Sequence, residues 1–311
     1  MDVIIVCHTE FGFVDDKTIV FDKKATEGAR AGVLNLVKIA EKYGAKITFA
    51  VCPEVVDFFP KNINHEIGLH IHPGWEEFKS KNLKWTVGDS YLKKNCSLDR
   101  ISTALKDYSY KAQLEMISKG KKYLKDKLNI ETKVFVAGRW SLNDDTLKII
   151  EKLGFTHDCS IQPSLKFSYS DWSFLPRICP TYKDSKKSSG LLLLPASLTF
   201  LNQTVSPENA PAIGLPWLKA CFIEYYNQGV PLFHISLHSP TMTGDYYLKI
   251  IEELISFIAH HKNINFKFVS EIKEYPERRF KTDIFPYIKS INKNIVRTFF
   301  RKIVKTQKYV R

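Results

Sequence analysis

The chain has 311 residues, of which 44% are hydrophobic and 13% aromatic, and this composition excludes a chain too polar to build a core. Of the net charge of +13, about +10 lies in residues 278–311, which hold eleven Lys and Arg side chains and one acid. The first 277 residues therefore carry only about +3, which argues against a basic nucleic-acid-binding surface on the folded body.

The cysteines and the first residues bear on where the protein works. Six cysteines are scattered without the short spacings of a redox or zinc motif, so we expect reduced, structural thiols. The first apolar run has only five residues before His8 and Glu10, which is too short for a secretory signal. No apolar stretch reaches about 18 residues, the length of a membrane-spanning helix. The sequence therefore predicts a cytoplasmic protein.

Apolar runs that predict strands alternate along the chain with stretches of helical period. The first unit is a strand at 3–7, a helix at 26–43 that stops at Gly44, and a strand at 46–51. The next predicted strand, 65–72, alternates strictly between apolar and polar residues. The later predicted elements are, in chain order, a loop at 76–98, a helix at 101–128, a strand at 133–137, a helix at 143–154, strands at 155–161 and 191–195, a helix at 215–227, a strand at 231–237, a helix at 245–260 and a strand at 265–269.

These elements amount to about eight strands, most of them followed by a helix. No linker or change of composition separates them, so residues 1–275 are expected to form one domain. The alternation predicts an α/β fold with a mainly parallel sheet, and the strand number favours a closed or nearly closed, TIM-barrel-like (β/α) barrel. An open doubly wound sheet is the alternative, although no glycine-rich nucleotide-binding loop follows the first strand.

Polar side chains interrupt the predicted strands at their carboxyl ends. They are His8, Glu10, His70, His72, Arg139 and His238. In a barrel of parallel strands these ends share one rim, and active sites of such barrels form there.

His70 and His72 give the strongest local signal. Two residues apart on an extended chain, both rings point to the same side, about 6 to 7 Å from each other. They could bind one metal ion, with Glu10 as third ligand and an open position for water, as in catalytic zinc sites. His8 lies on the same face as Glu10 and would border that cavity. The alternative is a histidine pair that only forms hydrogen bonds.

Several of these segments resemble motifs of the polysaccharide deacetylases, the NodB-homology or carbohydrate esterase family 4 group. The fairly specific ones are His65–Pro73, with the two histidines, and the Leu-His-Ser-Pro segment Leu237–Pro240; the weaker ones are Val136–Trp140 and Asp171–Trp172. The resemblance extends over residues 1–275. It implies a distorted (β/α) barrel of about seven parallel strands and a divalent metal ion, with Zn²⁺ expected, held by one carboxylate and two histidines.

The resemblance also assigns roles to individual residues. Glu10 would be the carboxylate ligand, His70 the first histidine ligand and His238 the general acid. Arg139 would orient the catalytic base, and Trp172 would line a pocket for the acetyl group.

Two departures from the family pattern change these assignments. The second metal histidine of the family would fall at Gly74, so we assign that role to His72 on the spacing argument. The usual aspartate base is absent, and of the residues at its position only His8 can act as a base. Asp15 and Asp16 are the alternatives.

Three other side chains have two interpretations each. Asp171 could pair with Arg139 or simply occupy a turn. Trp75 and Trp140 belong to predicted rim loops, where they could stack on a sugar or pack in the core.

The carboxyl-terminal extension, 276–311, holds most of the positive charge. Within it, residues 286–305 combine apolar residues at helical spacing with a stripe of Lys and Arg, which predicts a basic amphipathic helix. Such a helix could lie on an anionic membrane surface or pack against the barrel.

Together these features predict a cytoplasmic, metal-dependent carbohydrate N-deacetylase. The expected substrate is an N-acetylated sugar in a nucleotide-linked or lipid-linked precursor of a surface polysaccharide or lipopolysaccharide, and no nucleic-acid partner is expected. Two alternatives remain: a metal hydrolase of the amidohydrolase type, and a non-catalytic carbohydrate-binding protein built on a degenerate deacetylase barrel.

Overall fold

The computed structural model describes residues 1–10, 12–13, 19–20, 23–74, 87, 92, 94, 96, 102–163, 166, 171–184, 186 and 190–281. Trp75, most of the predicted loop at 76–98 and the predicted helix at 286–305 lie outside these residues. None of the helices described is both long enough and apolar enough to span a bilayer.

Short strands and longer helices alternate along the chain, as the sequence predicts. The strands are β1 Asp2–Thr9, β2 Gly12–Phe13, β3 Ile19–Val20, β4 Ile47–Val51, β5 Glu66–Ile71, β6 Val134–Ala137, β7 His157–Asp158, β8 Leu192–Leu193, β9 Leu232–His238 and β10 Asn265–Phe266. The α-helices are α1 Lys23–Glu27, α2 Val33–Tyr43, α3 Tyr110–Leu128, α4 Asp144–Lys152, α5 Ala210–Ile213, α6 Leu215–Asn227 and α7 Asp245–Ala259.

Seven of these strands form one curled parallel sheet, in the order β9–β1–β4–β5–β6–β7–β8. The short β10 adds to it by pairing with the first two residues of β1. Between β8 and β9 the curl is bridged by residues 197–205: the Ser197 N–H donates to the His234 carbonyl, and the Ser236 N–H donates to the Val205 carbonyl. The distorted (β/α) barrel predicted from the sequence is therefore confirmed, and the open doubly wound sheet is not observed.

Two predicted elements differ in extent from the observed ones. The helix predicted at 101–128 begins only at Tyr110, because Ala104 is extended and Ser109 is the N-cap, its side chain accepting from the Ala112 N–H. The strand predicted at 155–161 pairs with its neighbours over only two residues. Both predictions were too long, because apolar residues continue beyond the segments that form regular helix or sheet hydrogen bonds.

The helix predicted at 26–43 contains a π-helical turn, Gly28–Gly32, between α1 and α2. A Cβ atom on Gly28 would lie 2.6 Å from the Cα of Pro240, and one on Gly32 would collide with the Ser239 carbonyl oxygen. The glycines therefore let this turn pack directly against the backbone that follows β9.

Alternate residues of the strands face two different cores. In β1, Val3, Ile5 and Cys7 pack in the large core beneath the helices. Ile4 and Val6 belong to a smaller core enclosed by the curled sheet. His8 continues this inner series, so its side chain enters the mouth of the barrel.

The chain returns to the amino end of the barrel near residue 275. The Tyr275 hydroxyl donates a hydrogen bond of 2.6 Å to the carboxylate of Asp2, at the start of β1. Tyr275 therefore lies at the end of the barrel opposite the carboxyl rim.

Candidate functional site

Three strands bring predicted site residues together at the carboxyl rim. His8 of β1 pairs in register with His238 of β9, and their ring centroids are 4.9 Å apart. The ring of His70, near the end of β5, lies 5.0 Å from that of His8. His8 and His70 are buried, whereas the side chain of His238 remains 27% exposed and faces the mouth. The rim predicted from the sequence thus contains a compact histidine cluster.

Glu10 places a buried carboxylate between two of these histidines. Its Oε2 lies 2.8 Å from His70 Nε2, and its Oε1 lies 3.5 Å from His238 Nε2. Burial raises the pKa of Glu10, but the neighbouring His70, His72 and His238 outweigh it, so the net pKa is below its ordinary value. The carboxylate is therefore ionised at neutral pH and forms the negative centre of the cluster.

The contact between His70 and Glu10 fits a bound cation. His70 Nδ1 donates to the Val136 carbonyl oxygen at 2.9 Å, so Nε2 is the ring atom that faces the Glu10 carboxylate. Without a hydrogen on Nε2, a lone pair would face a carboxylate oxygen. Two such atoms repel each other unless a proton or a metal ion lies between them. The ring orientation is the one that metal-bound histidines adopt.

His8 also fits a cation. Its Nε2 is buried and has no hydrogen-bond partner in the part of the chain that the structure describes. Leaving such an atom unsatisfied costs about 1–3 kcal/mol. Ligand atoms of His8, Glu10 and His238 all lie within 4.8 Å of one another. Burial, reinforced by His238 and His70, lowers the pKa of His8, so its ring is neutral and able to accept a proton or a metal.

Cys52 also belongs to the cluster. The sequence did not predict this, because all six cysteines were expected to be structural. Its Sγ, a carboxylate oxygen of Glu10 and a ring nitrogen of His70 lie within 4.8 Å of one another. Burial, with smaller contributions from Glu54 and Glu10, raises the pKa of the Cys52 thiol well above its usual value. The available signal was position: Cys52 directly follows β4, at the strand end that belongs to the rim.

His72 lies beside this cluster. Its ring centroid is 5.9 Å from that of His70, and it belongs to neither group of converging ligand atoms. The ring packs against Gly138, where a Cβ atom would lie only 2.5 Å from His72 Cγ. Burial lowers the pKa of His72 to about 4, so the ring is neutral. Metal binding by His72 stays a prediction.

Glu208 holds His238 in place, and no motif in the sequence marks it. Its Oε1 accepts a 2.8 Å hydrogen bond from the His238 backbone N–H and lies 3.5 Å from His238 Nδ1. Thr241 and Ser206 hydroxyls donate to the same carboxylate. Burial lowers the pKa of His238, but the negative charges of Glu208 and Glu10 raise it by a larger amount. The net pKa is therefore above its ordinary value.

The turn after β6 brings Arg139 and Trp140 to the site. Both residues have positive φ angles, 56° and 54°, in a region that costs non-glycine residues of order 1 kcal/mol each. The Trp140 ring lies 5.4 Å from that of His8, so this tryptophan borders the cluster. Arg139 is close enough to His72 for its charge to help lower the pKa of that histidine.

Asp171 and Trp172 make contacts within their own part of the chain. The Asp171 carboxylate accepts from Ser173 and is 3.6 Å from Lys166 Nζ, as a turn residue would, and its pairing with Arg139 stays a prediction. Trp172 is buried, with Phe174 and Tyr182 as its ring neighbours. A role for Trp172 at an acetyl pocket stays a prediction.

The fold is similar to those of several solved structures. A candidate polysaccharide deacetylase from Mycobacterium smegmatis matches with a TM-score of 0.58 and 14% identity, over 87% of each chain. The PuuE allantoinase matches with a TM-score of 0.56 and 12% identity, over 87% of this chain and 88% of that one. A candidate polysaccharide deacetylase from Pseudomonas aeruginosa PAO1 matches with a TM-score of 0.54 and 14% identity, over 87% of this chain and 88% of that one.

No protein-family model matches the sequence, and the search of curated proteins gives no match. The likeness at these identities is one of fold. It agrees with the resemblance in the sequence motifs, because candidate polysaccharide deacetylases are among the structures that share the barrel.

Proposed function

We propose that this protein is a metal-dependent hydrolase that removes an N-acetyl group from a sugar. The observation that carries the proposal is the buried contact of 2.8 Å between Glu10 and His70, inside a histidine cluster at the mouth of the barrel. The fold supports it, since candidate polysaccharide deacetylases share this barrel. The Leu-His-Ser-Pro segment that contains His238 supports it as well.

The side chains at the rim fit a divalent ion, for which Zn²⁺ is the expected choice. Glu10 and His70 would hold it, and His72 is the third ligand predicted from the sequence. When bound, such an ion lowers the pKa of a water molecule and polarises a carbonyl group.

His8 and His238 suit opposite steps of proton transfer. The ring of His8 is neutral, because burial and the other imidazoles lower its pKa, and it would accept a proton from the attacking water. The pKa of His238 is raised, so its ring can donate a proton to the departing amine from the exposed side of the cluster. Glu208 positions His238, and Trp140 borders the space in which substrate would lie.

The finer features of the substrate are part of this proposal. We favour an N-acetylated sugar in a nucleotide-linked or lipid-linked precursor of a surface polysaccharide or lipopolysaccharide, processed in the cytoplasm. The low net charge of the first 277 residues, about +3, supports a sugar over a nucleic acid. The basic segment 286–305 would hold the enzyme near anionic lipid. Flotation with phosphatidylserine vesicles tests this point, and equal flotation of a chain ending at 281 would contradict it.

Acetate release tests the activity itself. Zinc-loaded protein is incubated with N-acetylglucosamine oligomers, with UDP-N-acetylglucosamine and with allantoin, and the same protein treated with a chelator is the control. We expect acetate from an N-acetylated sugar, lost on chelation and restored by zinc. Hydrolysis of allantoin alone would favour the amidohydrolase type. Stoichiometric zinc and sugar binding without hydrolysis would favour a non-catalytic carbohydrate-binding protein.

A further inference from the structure

Cys52 is placed to reach an ion held by Glu10 and His70. It directly follows β4, and its backbone N–H donates a 2.9 Å hydrogen bond to the Thr9 carbonyl, which holds it beside the end of β1. Its Sγ lies within 4.8 Å of ligand atoms of both Glu10 and His70. We infer that Cys52 supplies the third protein ligand of the metal, in place of the predicted His72. This inference rests on the proposed metal-dependent function.

The geometry favours sulfur over the second histidine. Ligand atoms bound to one zinc ion at about 2.0–2.3 Å lie about 3–4 Å from one another, so the group of Glu10, Cys52 and His70 needs only small side-chain movements to close on an ion. His72 is outside that group and packs against Gly138.

The surroundings of the three side chains also favour a cation. Glu10, Cys52 and His70 are all buried, so water cannot compensate the ionised carboxylate as it would at the surface. A metal ion here would compensate the charge of the Glu10 carboxylate and bind ligand atoms of Cys52 and His70 that lie within 4.8 Å of it.

Binding through Cys52 has a defined proton balance and a consequence for selectivity. One sulfur–metal bond forms, the S–H bond breaks, and the proton leaves to solvent, with no change in oxidation state. A set of one thiolate, one imidazole and one carboxylate prefers Zn²⁺, Cd²⁺ and Co²⁺ to Mg²⁺ or Mn²⁺. The resulting site would be softer than one built from a carboxylate and two histidines.

Cobalt substitution tests the ligand directly and needs no substrate. A cysteine thiolate bound to Co²⁺ gives a charge-transfer absorption band in the near ultraviolet, which nitrogen and oxygen ligands do not give. We expect this band in the wild type, in His72→Ala and in the control Cys159→Ser, which removes a thiol that is equally buried inside the barrel but outside the ligand group. In Cys52→Ser the band should vanish. Cobalt affinity should fall at least about tenfold, because even the loss of a residue that only supports a metal ligand lowers metal affinity by about that factor.

Stoichiometric cobalt without the band in the wild type would overturn the inference, as would a band that persists in Cys52→Ser. If Cys52→Ser does not fold, cadmium NMR of the wild type decides, since a sulfur ligand shifts the cadmium resonance strongly. The two proposals fail separately. A sulfur band without acetate release would contradict only the deacetylase activity, and acetate release without a sulfur band would contradict only the role of Cys52.

Discussion

Two histidines of β9 show how strongly position decides protonation. His234 and His238 lie four residues apart on the same inward face of the strand. His234 is deep in the barrel, where its Nδ1 donates to the Leu194 and Pro195 carbonyls at 3.2 Å each. His238 lies at the rim beside two carboxylates, those of Glu208 and Glu10.

The same residue type therefore has opposite tendencies at the two positions. Burial lowers the pKa of His234 to about 4, and no carboxylate offsets it. At His238 the two glutamates outweigh burial, so the pKa is raised. The interior position favours a neutral imidazole, and the rim position favours a protonated one. What separates the two histidines is a pair of carboxylates beside His238.

The largest effect should come from Glu10→Gln, which removes the negative charge that the whole rim shares. We expect metal binding and acetate release to fall by at least about 100-fold, as for loss of a metal ligand. Zinc stoichiometry and initial rates measure this. Glu66→Gln is the matched control, since Glu66 lies at the amino end of β5 and accepts a hydrogen bond from Thr48. Comparable losses in both variants would contradict a specific role for the charge of Glu10.

Glu208→Gln should have a smaller effect, directed at His238. The amide oxygen can still accept from the His238 backbone N–H, but the charge that raises the pKa of His238 is gone. An acid must be protonated, so activity falls as pH rises through that pKa. The alkaline limb of the profile of kcat against pH should therefore move to lower pH, with about tenfold lower kcat under slightly alkaline conditions.

Glu208→Asp, which keeps the charge, should recover most of the wild-type profile. An unchanged alkaline limb in Glu208→Gln would show that Glu208 only supports the backbone of the turn after β9.

The smallest effect on activity should come from His234→Asn, whose amide can still donate to the same carbonyls. The pH profile of kcat should not move, but the dependence of stability on pH should. Because the pKa of His234 falls from 6.5 to about 4 on folding, the unfolded chain binds more protons between these values. Wild-type stability is therefore lost as pH falls from 6.5 towards 4, by up to roughly 3 kcal/mol from this group.

Urea denaturation at both ends of that range measures the effect. In His234→Asn the slope of stability against pH should become shallower, and an identical slope would show that the folded protein does not depress the pKa of His234.

The barrel and much of the rim could be predicted because both follow from local patterns. Apolar runs separated by helical stretches predict the parallel sheet, and His8, Glu10, His70 and His238 follow strand ends, which share a rim. Their meeting in space needed no information beyond the order of strands. The helix predicted near 215–227 corresponds to α6, and the one predicted at 143–154 corresponds to α4, with Asn143 as its N-cap.

The remaining site residues could not be found in this way, because loops and long-range packing decide them. Glu208 reaches His238 from the connection between β8 and β9, and no spacing relates the two in sequence. In the sequence, Cys52 cannot be told from an apolar residue at the end of a buried strand. The Asp-Trp pair likewise did not indicate that the ring of Trp172 packs beside Phe174 and Tyr182.

The contact between Tyr275 and Asp2 joins two distant parts of the chain at the amino end of β1, opposite the histidine cluster. A change at Tyr275 would therefore act on stability through the start of β1, and not through the strand ends that carry the rim residues.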